Sequence, residues 1–415
     1  MSAIKRFIPS RLADIEVIHK LGAGGSSTIW LACDQQNLPG TLVTLKAMRS
    51  DASSKSPEDL AEITVPQSLQ AAFPEFNDDF QSVQDHFVVQ GPNGDHRFLI
   101  CPLVGPSIMT TLQSPSSRRL RRDLAVKVAK QTTSALHRMH AASLAHGDLT
   151  TSNVLFRFTK DVLRWSDDDV YSHFGLPKTE VVRTRDGSPR EVNAPAKLVQ
   201  PIEHSKIAHA SLLEESVVLI DFGQSYCITS PPDDYEPATA MNYMSPEIRF
   251  DERTAGVQTD IWALGCAIFE IRAGFPLFDS FFGSDADILK QNVETLGRLP
   301  DPWWGCFEER TLWFEEDGKL RDAEAQKRDG IRLTSSKTSI REKLPIGTQE
   351  DVEWLAGCES AMAECPMAEN VGVKMSEEEV ELLGDLLEKM LRYLPEERIT
   401  IAEVMRHPWF QMTLE

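Results

Sequence analysis

Two carboxylates and an amide stand where apolar runs give way to short polar loops. Asp148 and Asn153 lie at the two ends of the polar part of LAHGDLTTSNVLF, residues 144–156. A further acid, Asp221, follows the apolar run VVLI and comes just before a turn at Gly223. Carboxylate and amide oxygens at strand ends could hold metal ions on a phosphate and orient a hydroxyl. These residue types, at this spacing, favour phosphoryl transfer.

A loop of small residues lies near the start of the chain. Two β-rich runs, 15–21 and 28–33, enclose LGAGGSST, and a third run carries Lys46. Such a backbone can lie over phosphates, and a lysine on a neighbouring strand can hold them. Gly22, Ala23 and Gly24 alone are a weak signal, and an isolated lysine in a strand is usually a surface residue. Their order along the chain carries more weight than either feature.

The hydrophobic pattern predicts a β-rich first part and a helical second part. The first hundred residues contain β-rich runs, the hairpin signal GPNG and one helix that opens at SPED. We expect Pro66 to end or kink that helix soon after Glu62. After residue 105, apolar residues at three- and four-residue steps predict a long helix, and DIWALGCAIFEI predicts a buried one. The expected fold class is α+β.

The composition argues against several classes of protein. The chain has 415 residues, 41% of them hydrophobic, and a formal net charge of −20. This charge argues against nucleic-acid or anionic-membrane binding and favours a basic partner, but a solubilising surface explains it equally well. Seven cysteines without a C-x-x-C spacing indicate neither a zinc site nor a disulfide framework. We expect a monomer of the cytoplasm or nucleus, with no membrane-spanning segment.

From the glycine loop to HPWF, residues 21–410, the order of motifs resembles that of the eukaryotic protein kinases. The resemblance implies a bilobed kinase fold. A small β-rich N-lobe with one regulatory helix is expected at 1–104, and a larger helical C-lobe at 105–415. Polar or mixed segments at about 157–216 and 303–374 are expected to be insertions in the C-lobe.

The same resemblance implies roles for the residues of the polar loops. Asp148 would be the catalytic base, and Asn153 and Asp221 would bind Mg²⁺. Lys46, paired with Glu62, would contact the α- and β-phosphates of ATP. ATP and Mg²⁺ are therefore the expected cofactors.

Several details resemble the SR-protein kinases, especially their fungal members. LGAGGSSTIWLACD has a serine where most kinases have a third glycine, and GPNGDHRFLICPLVGPSI resembles the hairpin and hinge of that group. This implies that Cys101 is the gatekeeper and that 102–104 form the adenine edge. The nucleotide-binding residues implied by the resemblance are Leu21, Gly22, Ala23, Gly24, Ile29, Lys46, Glu62, Cys101 and Leu103.

The catalytic loop departs from the family pattern at two cations. The usual His-Arg-Asp is His146-Gly147-Asp148, and Thr150 stands where serine/threonine kinases have a lysine. Ala240 replaces the threonine that normally binds this lysine. Without the arginine, a phosphate on the activation segment lacks its usual partner, so we predict a segment that forms without phosphorylation. Without the lysine, transition-state charge is less stabilised, so turnover is expected to be slow.

Three functions are open at this point. The first is a protein serine/threonine kinase, and the second is a pseudokinase that binds nucleotide or serves as an interaction module. The third is a small-molecule kinase, because H-G-D-x-x-x-x-N also resembles the loop of aminoglycoside and choline phosphotransferases. Glu247 in MSPE and Arg398 in ERIT resemble a buried ion pair of protein kinases, and the DIWALGC helix is also similar to theirs. These features rank the third function last.

The acidic residues suggest a class of protein substrate. Acids cluster at 167–169, 308–309, 315–317 and 377–381. Together with the net charge, they would suit the arginine/serine-rich substrates of SR-protein kinases. Charge runs are nevertheless usually solvated faces, so this substrate class is a hypothesis.

Overall fold

A five-stranded antiparallel sheet forms the first part of the chain. The computed structural model describes residues 10–36, 40–113, 119–191, 193–232, 235–250, 256–280, 283–331, 334–345, 366–370 and 373–412. The strands are β1 (Ile15–Ala23), β2 (Ser27–Asp34), β3 (Thr41–Met48), β4 (Asp85–Gly91) and β5 (Gly94–Pro102). They lie in the order β1-β2-β3-β5-β4, so the predicted runs and hairpin are confirmed.

One helix, α1 (Ala61–Ala72), packs beside this sheet and contradicts the prediction that Pro66 would end it. The helix begins after a 3-10 turn at Pro57–Asp59, and Pro66 lies inside it. A proline removes one backbone hydrogen bond of a helix. Here Val65, Pro66 and Leu69 are all buried, and this packing offsets the loss. Glu62 consequently lies in the first turn of a helix that continues past the proline.

The remainder of the described chain is mainly helical. The long helix α3 (Arg122–Ala141) follows the short α2 (Ile108–Leu112) and buries its predicted apolar stripe. The other helices are α4 (Asp167–Phe174), α5 (His204–Ile207), α6 (Pro246–Arg249), α7 (Val257–Ala273), α8 (Asp285–Leu296), α9 (Trp303–Cys306), α10 (Arg310–Trp313), α11 (Ala323–Arg328), α12 (Ile340–Lys343), α13 (Glu377–Met390) and α14 (Ile401–Met405). Helix α7 is buried from Asp260 to its end, as predicted. The α+β fold class is confirmed.

Six further strands lie in the second part of the described chain. They are β6 (Leu144–Ala145), β7 (Val154–Phe158), β8 (Thr179–Val181), β9 (Lys197–Val199), β10 (Leu213–Leu219) and β11 (Tyr226–Cys227). Three antiparallel pairs form: β7 with β10, β6 with β11, and β8 with β9. Within the described ranges, no helix is long and apolar enough to cross a membrane.

The first polar segment lies between β7 and β10 and packs on the small sheet. Its residues Phe174 and Ile202 are buried in the same hydrophobic cluster as Ile18 and Leu31 of the sheet. The N–H of Ile202 donates to the C=O of Lys20 at 3.0 Å. The segment therefore ties the helical part to β1 immediately before the glycine loop.

The second mixed segment contains a separate aromatic cluster. Its buried members include Trp303, Trp304, Phe307, Trp313 and Phe314. Residues 346–365 of this segment lie outside the described ranges.

Candidate active site

The strand register places the glycine loop next to Lys46. Ile29 of β2 pairs with Gly22 of β1 on one side and with Lys46 of β3 on the other. The N–H of Gly24 closes the loop by donating to the C=O of Ser27 at 2.9 Å. Open space lies where a Cβ would stand on Gly22 or Gly24, so the backbone can be approached closely by a phosphate.

Lys46 joins the sheet, α1 and the turn at Asp221. Its Nζ contacts Oε1 of Glu62 and lies 3.2 Å from Oδ1 of Asp221. Burial alone would lower the pKa of Lys46, but the two carboxylates outweigh it and raise that pKa. Burial raises the pKa of Glu62, whereas the ammonium of Lys46 overcomes burial at Asp221 and lowers its pKa to about 2. Asp221 is therefore held ionised.

A buried aromatic residue fixes the turn that carries Asp221. The backbone of Asp221 is left-handed, with φ of 64°, a conformation uncommon outside glycine. The next residue, Phe222, is 1% exposed, and its ring centroid lies 6.1 Å from that of Phe80 and 5.7 Å from that of His146. The side chain of Asp221 remains 37% exposed. The turn is thus anchored while its carboxylate is open to a ligand.

The β7–β10 pair brings Asn153 next to Asp221. The N–H of Ile220 donates to the C=O of Asn153 at 3.0 Å. The Nδ2 of Asn153 donates to the C=O of Asp148 at 2.8 Å and to its Oδ2 at 3.2 Å. Because Nδ2 of Asn153 makes both of these bonds, its Oδ1 remains available as a ligand for a cation.

Asp148 sits in a half-buried position with few compensating charges. Burial, and secondly the charge of Asp221, raise the pKa of Asp148 to about 6. The Asn153 amide and the N–H of Ala240 act in the opposite direction. The carboxylate of Asp148 is therefore ionised at neutral pH but is more basic than an ordinary aspartate, as a group that accepts a hydroxyl proton should be.

The backbone around Asp148 is held by a buried histidine and a buried acid. The N–H of Asp148 donates to Nδ1 of His146 at 3.2 Å, and Nε2 of His146 lies 3.2 Å from the C=O of Ile220. Burial lowers the pKa of His146, so the ring is neutral with its proton on Nε2. Asp260 accepts the N–H groups of His146 and Gly147 at 2.8 and 3.0 Å. These hydrogen bonds fix the backbone of the loop that carries Asp148.

The available oxygen ligands fit a magnesium ion bound together with a nucleotide. Asp221 provides an ionised carboxylate, and Asn153 provides an amide oxygen. Mg²⁺ is usually held by one or two carboxylates plus phosphates and water, rather than by an all-protein cage. In the described part of the chain, no three or more His, Cys, Asp or Glu residues form a metal cluster. A site completed by phosphates agrees with this arrangement.

The expected adenine edge lies where β5 ends. Cys101 is buried with Met48 and Ile63, between the sheet and α1. Leu103 is buried as well, and Leu21 packs half-buried against the main core cluster. The C=O of the intervening Pro102 accepts a bond from Nε2 of Gln81 at 3.0 Å, which nothing in the sequence predicts.

The segment that follows Asp221 is anchored at its far end by an ion pair. The Nη2 of Arg398 lies 2.6 Å from Oε2 of Glu247, and both side chains are fully buried. Nearer the catalytic loop, the hydroxyl of Thr239 donates to the C=O of Gly147 at 2.7 Å. The hydroxyl of Tyr235 donates to the C=O of Gln224 at 3.2 Å. The sequence predicted neither hydroxyl contact, because both join residues that are far apart along the chain.

Comparison with known proteins gives consistent matches. Residues 209–410 match the protein kinase domain. Across 409 residues the chain is 24% identical to "Serine/threonine-protein kinase SRPK" of Physarum polycephalum, covering 96% of this chain and 86% of that protein. "Protein kinase dsk1" of Schizosaccharomyces pombe is 28% identical over 384 residues, 74% of this chain and 70% of that protein. "Probable serine/threonine-protein kinase clkA" of Dictyostelium discoideum is 23% identical over 96% of this chain and 36% of its own length.

Proposed function

We propose that this chain, a protein serine/threonine kinase of the eukaryotic protein kinase family, phosphorylates serines in basic, arginine-rich protein segments with magnesium ATP. The observation that carries the proposal is the charge balance of the site. Glu62 and Asp221 contact the ammonium of Lys46, whereas the carboxylate of Asp148 feels the charge of Asp221 and forms no ion pair among the described residues. A positively charged substrate would compensate the excess negative charge.

The chemistry follows from the placement of two acids. Bound Mg²⁺ would supply positive charge on the transferring phosphates, held by Asp221 and Asn153. Lys46 orients the α- and β-phosphates from the sheet, and its contact with Glu62 limits where the ammonium can go. Asp148 accepts the hydroxyl proton of the substrate serine, and its pKa of about 6 suits that task.

The charge of the site supports a basic substrate better than the acidic clusters do. The acids at 167–169 lie in the first turn of α4, where Asp169 forms a reciprocal cap with Ser166. In the same way Glu377, Glu378 and Glu379 fill the first turn of α13. Acids are favourable at helix N-termini whatever the partner, so these clusters have a structural explanation. The carboxylate excess around Asp148 has no such explanation.

Phosphorylation of three matched peptides tests the proposal. Each peptide carries one serine series flanked by arginine, alanine or glutamate, and kcat/KM is measured with magnesium ATP at low and moderate salt. We expect the arginine peptide to be preferred by at least about tenfold, and salt to reduce this preference because it screens charges. Asp148→Asn is the inactive control, and Glu180→Gln, on the exposed hairpin, is the matched control for loss of one carboxylate.

The outcomes separate the parts of the proposal. Equal rates on all three peptides would show that the substrate class is wrong. Incorporation that persists in Asp148→Asn would come from a contaminating kinase. No incorporation into any peptide, with magnesium ATP still bound, would favour a nucleotide-binding module instead.

A further inference from the structure

We propose that Tyr235 is a positioning residue that holds the catalytic loop by filling the space beside Gly147, so that the segment between Asp221 and Glu247 is ordered by a tyrosine–glycine contact instead of a phosphate. Here that stretch is called the activation segment. The inference rests on the proposed function, because it concerns the regulation of the same site.

The first observation is the lack of room at Gly147. This residue has φ of +78°, in the region that favours glycine. A Cβ built on it would stand 2.6 Å from the hydroxyl of Tyr235 and would also collide with the C=O of Gln224. The two colliding oxygens are themselves joined, because Tyr235 donates to Gln224 at 3.2 Å. The tyrosine hydroxyl thus occupies the place where a side chain at 147 would begin.

The second observation is the support behind Tyr235. Its ring packs on that of Tyr226, with centroids 4.5 Å apart. Tyr226 is 5% exposed and belongs to β11, whose partner β6 leads directly into His146. Burial raises the pKa of the Tyr235 phenol, so its hydroxyl stays a donor at neutral pH. Through Tyr226 and β6, Tyr235 is therefore linked to the residues that lead into the catalytic loop.

The third observation is that both polar backbone groups of Gly147 are hydrogen-bonded. Its N–H is bound by Asp260 at 3.0 Å, and its C=O accepts the hydroxyl of Thr239 at 2.7 Å. The N–H of Ala240 meanwhile approaches the carboxylate of Asp148. Between Tyr235 and Ala240 the activation segment therefore follows the backbone of residues 147 and 148, which fixes the carboxylate that accepts the proton.

A phosphate on this stretch should act in the opposite sense from the usual one. Phosphorylated Thr239 would lose the donor that binds Gly147. It would also bring negative charge into the small cavity that Thr239 shares with Asp260, close to Asp148. We expect the modification to inactivate the kinase, and treatment with a phosphatase to leave the activity unchanged.

The test compares variants of the two tyrosines whose rings pack against each other. Tyr235→Phe removes only the hydroxyl bond, Tyr235→Ala empties the space, and Tyr226→Phe is the matched control, since its hydroxyl has no partner among the described residues. We expect kcat to fall by about 3- to 10-fold in Tyr235→Phe and further in Tyr235→Ala, with KM for ATP unchanged. Tyr226→Phe should keep the wild-type kcat. Thr239→Glu should lose more activity than Thr239→Val.

A double-mutant cycle tests the contact itself. Gly147→Ala should lower kcat, and the loss should be smaller when Tyr235→Phe is already present, because one of the two collisions has been removed. Additive effects in this cycle would contradict the proposed contact. Paired with Tyr226→Phe, Gly147→Ala should show no such coupling.

Hydrogen exchange gives a measure that does not need activity. The amides of residues 146–148 should exchange faster in Tyr235→Ala, while those of α7 and the binding of magnesium ATP stay unchanged. If Tyr235→Ala keeps both the wild-type exchange and the wild-type kcat, the inference is wrong. A wild-type chain that phosphorylates nothing would overturn the proposed function, yet the exchange experiment would still decide on Tyr235.

Discussion

The proposed active site has two sides, named here the phosphate side and the hydroxyl side after their proposed ligands, and the two are built from different kinds of interaction. On the phosphate side, Lys46, Glu62 and Asp221 form a compact group of charges in direct contact. On the hydroxyl side, the backbone around Asp148 is held by hydrogen bonds to His146, Asp260 and Thr239. Thr150, which stands where the resemblance to serine/threonine kinases implies a lysine, is 4% exposed.

This difference shows which charges each side of the site has in place before its ligand binds. The phosphate side has its charges in place before nucleotide binds, as preorganised electrostatic stabilisation requires. The hydroxyl side has the carboxylate of Asp148, which forms no ion pair among the described residues and whose pKa is raised by burial and by the charge of Asp221. We therefore expect a substrate that brings positive charge to be favoured at the hydroxyl side.

The largest expected effect comes from removing the proposed metal ligand on the phosphate side. Asp221→Asn deletes the carboxylate that Lys46 holds ionised. We expect kcat to fall by roughly 10³-fold, because a bound metal contributes several kcal/mol of transition-state stabilisation. The measurement is kcat as a function of Mg²⁺ concentration. The matched control is Asp317→Asn, an exposed acid paired with Lys319, and a loss equal to that of the control would contradict the role of Asp221.

A smaller loss is expected when only the orientation of Lys46 is disturbed. Glu62→Gln keeps the shape of the side chain but removes the charge that contacts Nζ. Lys46 then keeps Asp221 as its charged partner, so we expect kcat/KM for ATP to fall by about 10- to 100-fold. Glu58→Gln, in the turn before α1, serves as the control. If Glu62→Gln and Asp221→Asn were equally damaging, the phosphate side would act as one inseparable unit.

The acid limb of the pH profile tests the hydroxyl side. Asp148 must be ionised to accept a proton, and its pKa is raised to about 6, so kcat/KM should fall about tenfold per pH unit below that value. The acid limb of the kcat profile should lie at lower pH than that of the kcat/KM profile. The reason is that magnesium at Asp221 would offset the negative charge that helps to raise the pKa of Asp148. Identical limbs for both constants would show that Asp221 does not influence Asp148.

Much of the framework could be predicted because it follows from local patterns. The stripe of Leu124, Val128 and Leu136 is buried on α3, as its spacing predicts. The strand runs and the GPNG hairpin follow alternation and turn chemistry. The sequence also predicted that three polar residues lie together: Asp148, Asn153 and Asp221. Asn153 is hydrogen-bonded to Asp148, and its C=O accepts the N–H of the residue before Asp221. Their catalytic and metal-binding roles stay predictions.

The features that escaped prediction depend on tertiary packing. Pro66 is tolerated inside α1 because the residues around it are buried, and packing overrides the intrinsic preference. The segment before β10 has a polar composition, yet Phe174 and Ile202 are enough to seat it on the sheet. Tyr235 has no signal of its own in TSPPDDYEPATA, since its contact exists only where Gly147 leaves room.

The smallest expected effect is also the one that compares the two sides most directly. Thr150→Lys places a cation on the hydroxyl side, and Ser152→Lys adds the same charge to an exposed position of the same loop. If the substrate normally supplies this charge, Thr150→Lys should raise kcat/KM on the alanine-flanked peptide by about 2- to 5-fold, the range of a partly exposed ion pair. The rate on the arginine peptide should change less. The preference for arginine would then shrink in Thr150→Lys and persist in Ser152→Lys, once thermal unfolding has shown that both variants are folded. An unchanged preference in Thr150→Lys would mean that the substrate's arginines are recognised away from the catalytic loop.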